Sequence, residues 1–190
     1  MSAITDQNKE LDMVITEIVK REVKKELTCE IKTYLLEGEE FKSAKMPVFK
    51  HEHDACADIH AVVNEDLYPE SYKYKDGHGC IVVYPETTVK IHTGITVDIP
   101  ENWEIQVRPR SGISLTGNVA VLGTVDENYK GEICVLFQNN SPGAYFIRDG
   151  DRIAQLAVRR VGYVSFVQSD ISTRKSDSER GDKGFGSSGL

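Results

Sequence analysis

Three stretches of this 190-residue chain hold side chains of the kind that grip phosphate and activate water. Pro109-Arg110-Ser111-Gly112-Ile113-Ser114 follows an alternating apolar segment and joins a guanidinium, two hydroxyls and a glycine at which backbone can approach closely. Such a set can cradle phosphate oxygens by charge-assisted bonds and backbone donors, although a polar turn after a strand has the same composition. Gly123-Thr124-Val125-Asp126-Glu127-Asn128-Tyr129-Lys130-Gly131 reads as a hairpin carrying a carboxylate and an aromatic ring, and a solvated turn would look alike. Arg180-Gly181-Asp182-Lys183-Gly184-Phe185-Gly186-Ser187-Ser188-Gly189 lacks the order of a P-loop. One Phe among glycines and hydroxyls suggests instead a lid that closes over a planar ring and a polyphosphate. His51 and His53 precede Asp54 but have no third His or Cys nearby to complete a metal site. His60, His78 and His92 read as structural or solvated.

The elements that must position these stretches show in the periodicity. Leu11, Val14, Ile15, Ile18, Val19, Val23 and Leu27 recur at helical spacing, opposite Glu17, Lys20, Arg21, Lys24 and Lys25. A helix this short is marginal alone, so its stripe is expected to pack on its own domain or on the same helix of a partner subunit. The interspersed acids Glu22 and Glu26 weaken a membrane-surface reading. After Thr28 the period becomes two. Val89, Ile91, Ile95, Val97 and Ile99 predict one half-buried strand ended by Pro100, and Trp103, Ile105 and Val107 predict another. Ile133, Val135 and Phe137 follow the Lys130-Gly131 turn, and Asp149-Gly150 reads as a hairpin turn. Short strands at this spacing predict an all-β sandwich or jelly roll. The organisation expected is a helical extension over 1–27, a β domain over 28–168 with an insertion or long loop at 64–79, and a flexible tail over 169–190.

The bulk properties suit one domain with a real core. With 39% hydrophobic and 28% charged residues and a formal net charge of −7, the chain is a poor partner for a nucleic-acid duplex, whose phosphates it would repel. No apolar run approaches the roughly 18 residues that span a bilayer. Cys29, Cys56, Cys80 and Cys134 are scattered without a CxxC pair, which predicts reduced thiols. With no secretory pattern at the N-terminus, an intracellular, cytoplasmic protein is expected; nuclear and phage- or virus-encoded origins fit equally.

In this order and spacing the three stretches resemble the homotrimeric dUTPase family, the deoxyuridine 5′-triphosphate nucleotidohydrolases, which five short motifs identify. Asp54-Ala55-Cys56-Ala57-Asp58-Ile59 stands for the first, where the family usually has Ala-Gly-x-Asp-Leu. PRSGIS at 109–114 is the second, GTVDENYKG at 123–131 the third, GDRIAQL at 150–156 the fourth and RGDKGFGSSG at 180–189 the fifth. The resemblance covers roughly residues 28–190.

The resemblance implies an all-β, jelly-roll-like dUTPase fold and hydrolysis of dUTP to dUMP and pyrophosphate by water attack on the α-phosphorus. This reaction limits uracil in DNA and supplies dUMP. It implies Asp126 as general base and Tyr129 packed under the deoxyribose, leaving no room for a ribose 2′-OH. Arg110, Ser111 and Gln155 would hold phosphate oxygens, and Asp58 would help hold the waters around Mg²⁺. From the tail, Arg180 would pair with the γ-phosphate, Phe185 would stack on uracil, and Ser187 and Ser188 would donate to phosphates. Gly112, Gly123, Val125 and Gly186 complete the implied substrate-binding set. Each active site in this family draws on three subunits, so a homotrimer is implied. The chemistry is coherent: a positioned carboxylate takes the proton of a poor nucleophile, and Mg²⁺ neutralises charge on the phosphates while needing few carboxylates.

The chain departs from the pattern at two places. Cys56 stands where the family has Gly, and the Asn that commonly precedes Gly123 and helps read uracil is missing, with Asn118 the candidate replacement. A dCTP deaminase shares the fold and two motifs but needs a Glu where this chain has Leu136, which transfers no protons. Some phage dUTPases are also regulators, and an added protein-binding role through 64–79 or the N-terminal helix is the other alternative.

Overall fold

Alternating apolar residues become strands wherever one face can be buried. The computed structural model describes residues 13–22, 28–75 and 78–174. Residues 13–22 are helical (α1). The strands are β1 (Lys32–Leu35), β2 (Ala57–His60), β3 (Tyr72–Lys75), β4 (His78–Val83), β5 (Thr88–Ile91), β6 (Ile95–Asp98) and β7 (Trp103–Arg108). A one-turn helix, α2 (Ser111–Ser114), precedes β8 (Asn118–Ala120), β9 (Gly123–Val125), β10 (Val135–Asn139), β11 (Tyr145–Arg148) and β12 (Arg152–Arg160). They form four antiparallel sheets ordered β1-β6, β5-β10-β8, β11-β4-β3 and β2-β12-β7-β9. Their inward residues make one core around Phe137, with Ile59, Ile81, Ile91, Ile105, Ile133, Ile147 and Ile153 buried. Truncating a ring such as Phe137 to Ala would cost about 3–5 kcal/mol.

The four-stranded sheet positions the chemistry. Asp58 on β2 lies opposite Gln155 on β12, and Gln155 lies opposite Arg108 on β7. This register sets the first and fourth motifs side by side. The chain leaving β7 then turns through Pro109 and Arg110 into α2 beside them. On the other edge of β7, Ile105 and Gln106 pair with Val125 and Thr124 of β9.

Several local expectations change once sheet partners are known. The alternating run 89–99 is two strands in different sheets, because Gly94 at φ 67° turns the chain between them. Asp149-Gly150 is a turn with Gly150 at φ 77°, but it joins β11 to β12, which do not pair, so it is a crossover and not a hairpin. The third motif is likewise not a hairpin: β9 pairs with β7 while β10 pairs with β5 and β8. The stretch 64–79 is more than a loop, for β3 and the start of β4 lie within it and pair as an added edge hairpin. Tyr68 anchors it, buried, with its hydroxyl accepting from the His92 N–H at 2.7 Å.

The expected helix over 10–27 is present across its described residues, yet Met13, Val14, Ile15, Ile18 and Val19 all remain exposed. Among the described residues its stripe therefore does not pack on the chain's own domain. At the other end, Ile171–Thr173 form a single 3-10 turn capped by Asp170. The remainder of the tail, with Arg180, Phe185, Gly186, Ser187 and Ser188, lies outside the described residues.

Candidate active site

The first, second and fourth motifs meet in a cavity of about 390 Å³ lined by Asp58, Arg110, Ser111, Gly112 and Gln155, together with Lys50, Asp54 and Cys56. Arg110 sits at the strand-to-helix junction in an extended conformation. Its Nε donates to Asp58 Oδ1 at 2.8 Å and its NH1 to the Arg152 carbonyl at 3.1 Å. Arg152 NH1 donates to Asp58 Oδ2 at 3.0 Å. Asp58 thus holds two guanidinium groups at the cavity, and Arg152 joins the site although its place inside GDRIAQL gave no sign of a role. Gln155 Nε2 donates to the Pro109 carbonyl at 2.8 Å, pinning the loop that carries Arg110 and Ser111. A side chain at Gly112 would meet open space, so the glycine answers to no neighbour in this chain and leaves room above the backbone. Lys50 adds a third cation that the motifs did not reveal.

The third motif builds a second cavity, about 410 Å³, lined mostly by apolar side chains: Val107, Val121, Leu122, Val125, Ile133 and Leu136 with Gly123, Tyr129, Glu132, Cys134 and Lys90. The Tyr129 hydroxyl donates to the Glu132 carbonyl at 2.9 Å, and its N–H donates to the Asp126 carbonyl at 3.0 Å. A Cβ at Gly131 would lie 2.5 Å from the Tyr129 hydroxyl oxygen, so only glycine lets the ring lie here. Two adjacent carboxylates have opposite fates. Glu127 accepts the Asn102 N–H at 3.0 Å and so ties the β6–β7 turn to this loop. Asp126 is exposed, and among the described residues nothing engages its carboxylate. It is the one available to bind a water.

Asn118 is not brought to either cavity. It is buried in β8, its amide donates to Thr116, and its Oδ1 has no partner. The sequence offered no sign of this burial, which follows from the pairing of Asn118 with Asn139 of β10. Leu136, where a deaminase needs Glu, lines the apolar cavity. His53 and Glu52 lie 3.9 Å apart and both are almost fully exposed. All four cysteines are free thiols, as their scatter implied.

Beneath the apolar cavity, Glu132 Oε1 accepts from the N–H groups of Thr93 and Gly94 at 2.9 and 2.8 Å. Its Oε2 lies 2.7 Å from His92 Nδ1. Burial opposes its charge, yet the Gly94 N–H and the His92 ring hold its pKa below the ordinary carboxylate range.

The profile of the dUTPase family matches residues 79–189. The deoxyuridine 5′-triphosphate nucleotidohydrolase of Picosynechococcus is 35% identical over 150 residues, covering 77% of this chain and 92% of the relative. That of Gloeothece citriformis is 36% identical over 152 residues, covering 78% and 92%. Among solved structures, Staphylococcus bacteriophage 80alpha dUTPase with dUPNHPP aligns at a TM-score of 0.69 and 27% identity, over 86% of this chain and 100% of that one. The shared architecture is the jelly-roll-like β fold of dUTPases. By its profile, its relatives and its fold, the chain belongs to the dUTPase family.

Proposed function

We propose that the chain hydrolyses dUTP to dUMP and pyrophosphate with Mg²⁺, by attack of water on the α-phosphorus, in a homotrimer whose active sites are shared between subunits. The observation that carries this reading is the division between the two cavities. One is apolar, sized for a ring and a sugar, with Tyr129 in its wall and Asp126 in the same loop; the other is polar, with Arg110 and Ser111. They share no lining residue, so a nucleotide that uses both is best served by the apolar cavity of one subunit facing the polar cavity of another.

The steps follow from the residues. The Tyr129 ring, fixed by its bonds to Glu132 and Asp126, packs against the sugar and excludes a 2′-hydroxyl. The unengaged Asp126 carboxylate accepts the proton of the attacking water. Arg110, held by Asp58 and the Arg152 carbonyl, is preorganised toward phosphate oxygens and needs no reorientation when charge builds up. Ser111 donates beside it. Mg²⁺, when bound with the nucleotide, would supply neutralisation of charge on the phosphates. Asp58 fits a role toward that ion's waters, because a carboxylate has about four lone-pair sites and the two guanidinium groups leave some free. The tail carrying Arg180, Phe185, Ser187 and Ser188 would close over the nucleotide.

A trimer also accounts for the segment after β12. Val161, Tyr163, Val164, Phe166 and Val167 run without regular structure at 41, 84, 73, 98 and 77% exposure. Such a contiguous apolar run marks a surface covered by another chain. The test is a nucleotide panel with pyrophosphate and ammonia quantified. Pyrophosphate from dUTP with Mg²⁺, far faster than from dTTP, dCTP or UTP, is expected. Ammonia from dCTP, or equal turnover of all four, would overturn the reading.

A further inference from the structure

Among the described residues, one group at the floor of the apolar cavity brings imidazole, thiol and carboxylate ligand atoms together: His92 Nδ1, Glu132 Oε2 and Cys134 Sγ, all within 4.8 Å of one another. We propose that these three side chains bind a divalent transition-metal ion of the zinc type in the floor of the apolar cavity.

The geometry suits such an ion. Tetrahedral zinc with nitrogen, oxygen and sulfur ligands sets neighbouring ligand atoms about 3.2–3.7 Å apart. Here Nδ1 lies 2.7 Å from Oε2 and 3.9 Å from Sγ, one value below that range and one above it. Two of the three ligands are held in place beforehand. Glu132 Oε1 is fixed by two backbone N–H groups, which leaves Oε2 to coordinate. The His92 ring is packed edge-on against Tyr68, centroids 5.6 Å apart, and against Phe41 at 6.2 Å. Glu132 and Cys134 both line the cavity, so a fourth position is open to water or ligand, as in zinc sites that exchange ligands. One thiolate, one imidazole and one carboxylate favour zinc or cobalt over Mg²⁺, which prefers oxygen alone.

Two features limit the affinity. Lys90 lines the same cavity and opposes a cation. The Cys134 thiol is pushed up to about 12, by burial first and then by the Glu132 charge. Binding must therefore expel the thiol proton to solvent, and it tightens as pH rises. If the cavity receives the nucleoside, as proposed above, the bound ion obstructs it and raises the KM for dUTP.

The test is a Co²⁺ titration of the full chain at neutral pH, followed by Zn²⁺ displacement. A thiolate-to-cobalt charge-transfer band saturating at one ion per chain is expected, abolished by Cys134→Ser and by His92→Gln and retained in Cys29→Ser. X-ray absorption at the zinc edge of the wild-type protein needs no variant and should show one sulfur in a shell otherwise of nitrogen and oxygen. Absence of the band, its survival in Cys134→Ser, or a zinc shell without sulfur would overturn the proposal. These readouts do not depend on hydrolysis: a protein that binds cobalt through Cys134 but, freed of cobalt and supplied with Mg²⁺, leaves dUTP intact would refute the proposed function and keep the metal site.

Discussion

At the scale of single residues, the pair Asp126 and Glu127 decides the chemistry. Glu127 is spent on the Asn102 N–H, and Asp126 is left for water. Asp126→Asn should keep the melting temperature and the KM while lowering kcat about 10²- to 10⁴-fold, the usual contribution of a general base; a mutant keeping a tenth of the rate would place the base elsewhere. Glu132 gives a pH signature. Its folded pKa lies below the ordinary value despite burial, because the Gly94 N–H and the His92 ring favour the anion. A depressed carboxyl contributes stability that is present in full above its unfolded pKa and is lost as pH falls through the folded one. Glu132→Gln should thus be less stable than wild type near pH 7, by about 2 kcal/mol for a charged, buried acceptor. The gap should close as pH falls below the ordinary carboxylate range; a gap constant with pH, followed by thermal melts, would mean that only packing was lost. Arg110, Ser111, Gln155, Tyr129 and Asp126 were legible as candidate site residues because short motifs carry them. Arg152, Lys50 and the His92–Glu132–Cys134 group were not, since in each case the fold brings together segments that lie apart in the sequence.

At the scale of elements, period two revealed the apolar runs at 89–99, 103–107 and 133–137 but neither where they break nor which partners they take. A turn such as Asp149-Gly150 has the same local chemistry whether the strands it joins pair or diverge, because pairing is decided by distant segments. The insertion hid its strand in the alternation Tyr72-Lys73-Tyr74-Lys75, whose rings and charges resemble a polar loop in composition. Gly94 is where element and site meet. Its φ of 67° breaks β5 from β6, its N–H holds Glu132, and a Cβ there would lie 2.6 Å from that of Ala44. Gly94→Ala should therefore destabilise the fold by about 1–3 kcal/mol, the range for a strained left-handed residue. The matched control Gly112→Ala, where a side chain meets open space, should leave unfolding by denaturant unchanged while impairing turnover of dUTP. Equal stability of the two variants would show that the Gly94 turn is not under this constraint.

At the scale of the whole molecule, the described residues present an apolar and a polar cavity with no shared lining and leave uncovered two apolar surfaces, α1 and the segment from Val161 to Val167. Both facts call for neighbours, and composition alone could not show this, since the same residues in another topology would be core. The central claim is that a dUTP site is completed between subunits. Asp126→Asn and Arg110→Ala chains, each inactive as a homotrimer, supply the direct measurement when they are unfolded together, refolded and assayed for pyrophosphate release from dUTP. Random mixing in a closed trimer should rebuild about one site in four with both residues intact, so activity should return to that fraction of wild type. Mixed trimers that remain inactive, or a monomer that hydrolyses dUTP by itself, would contradict a shared site.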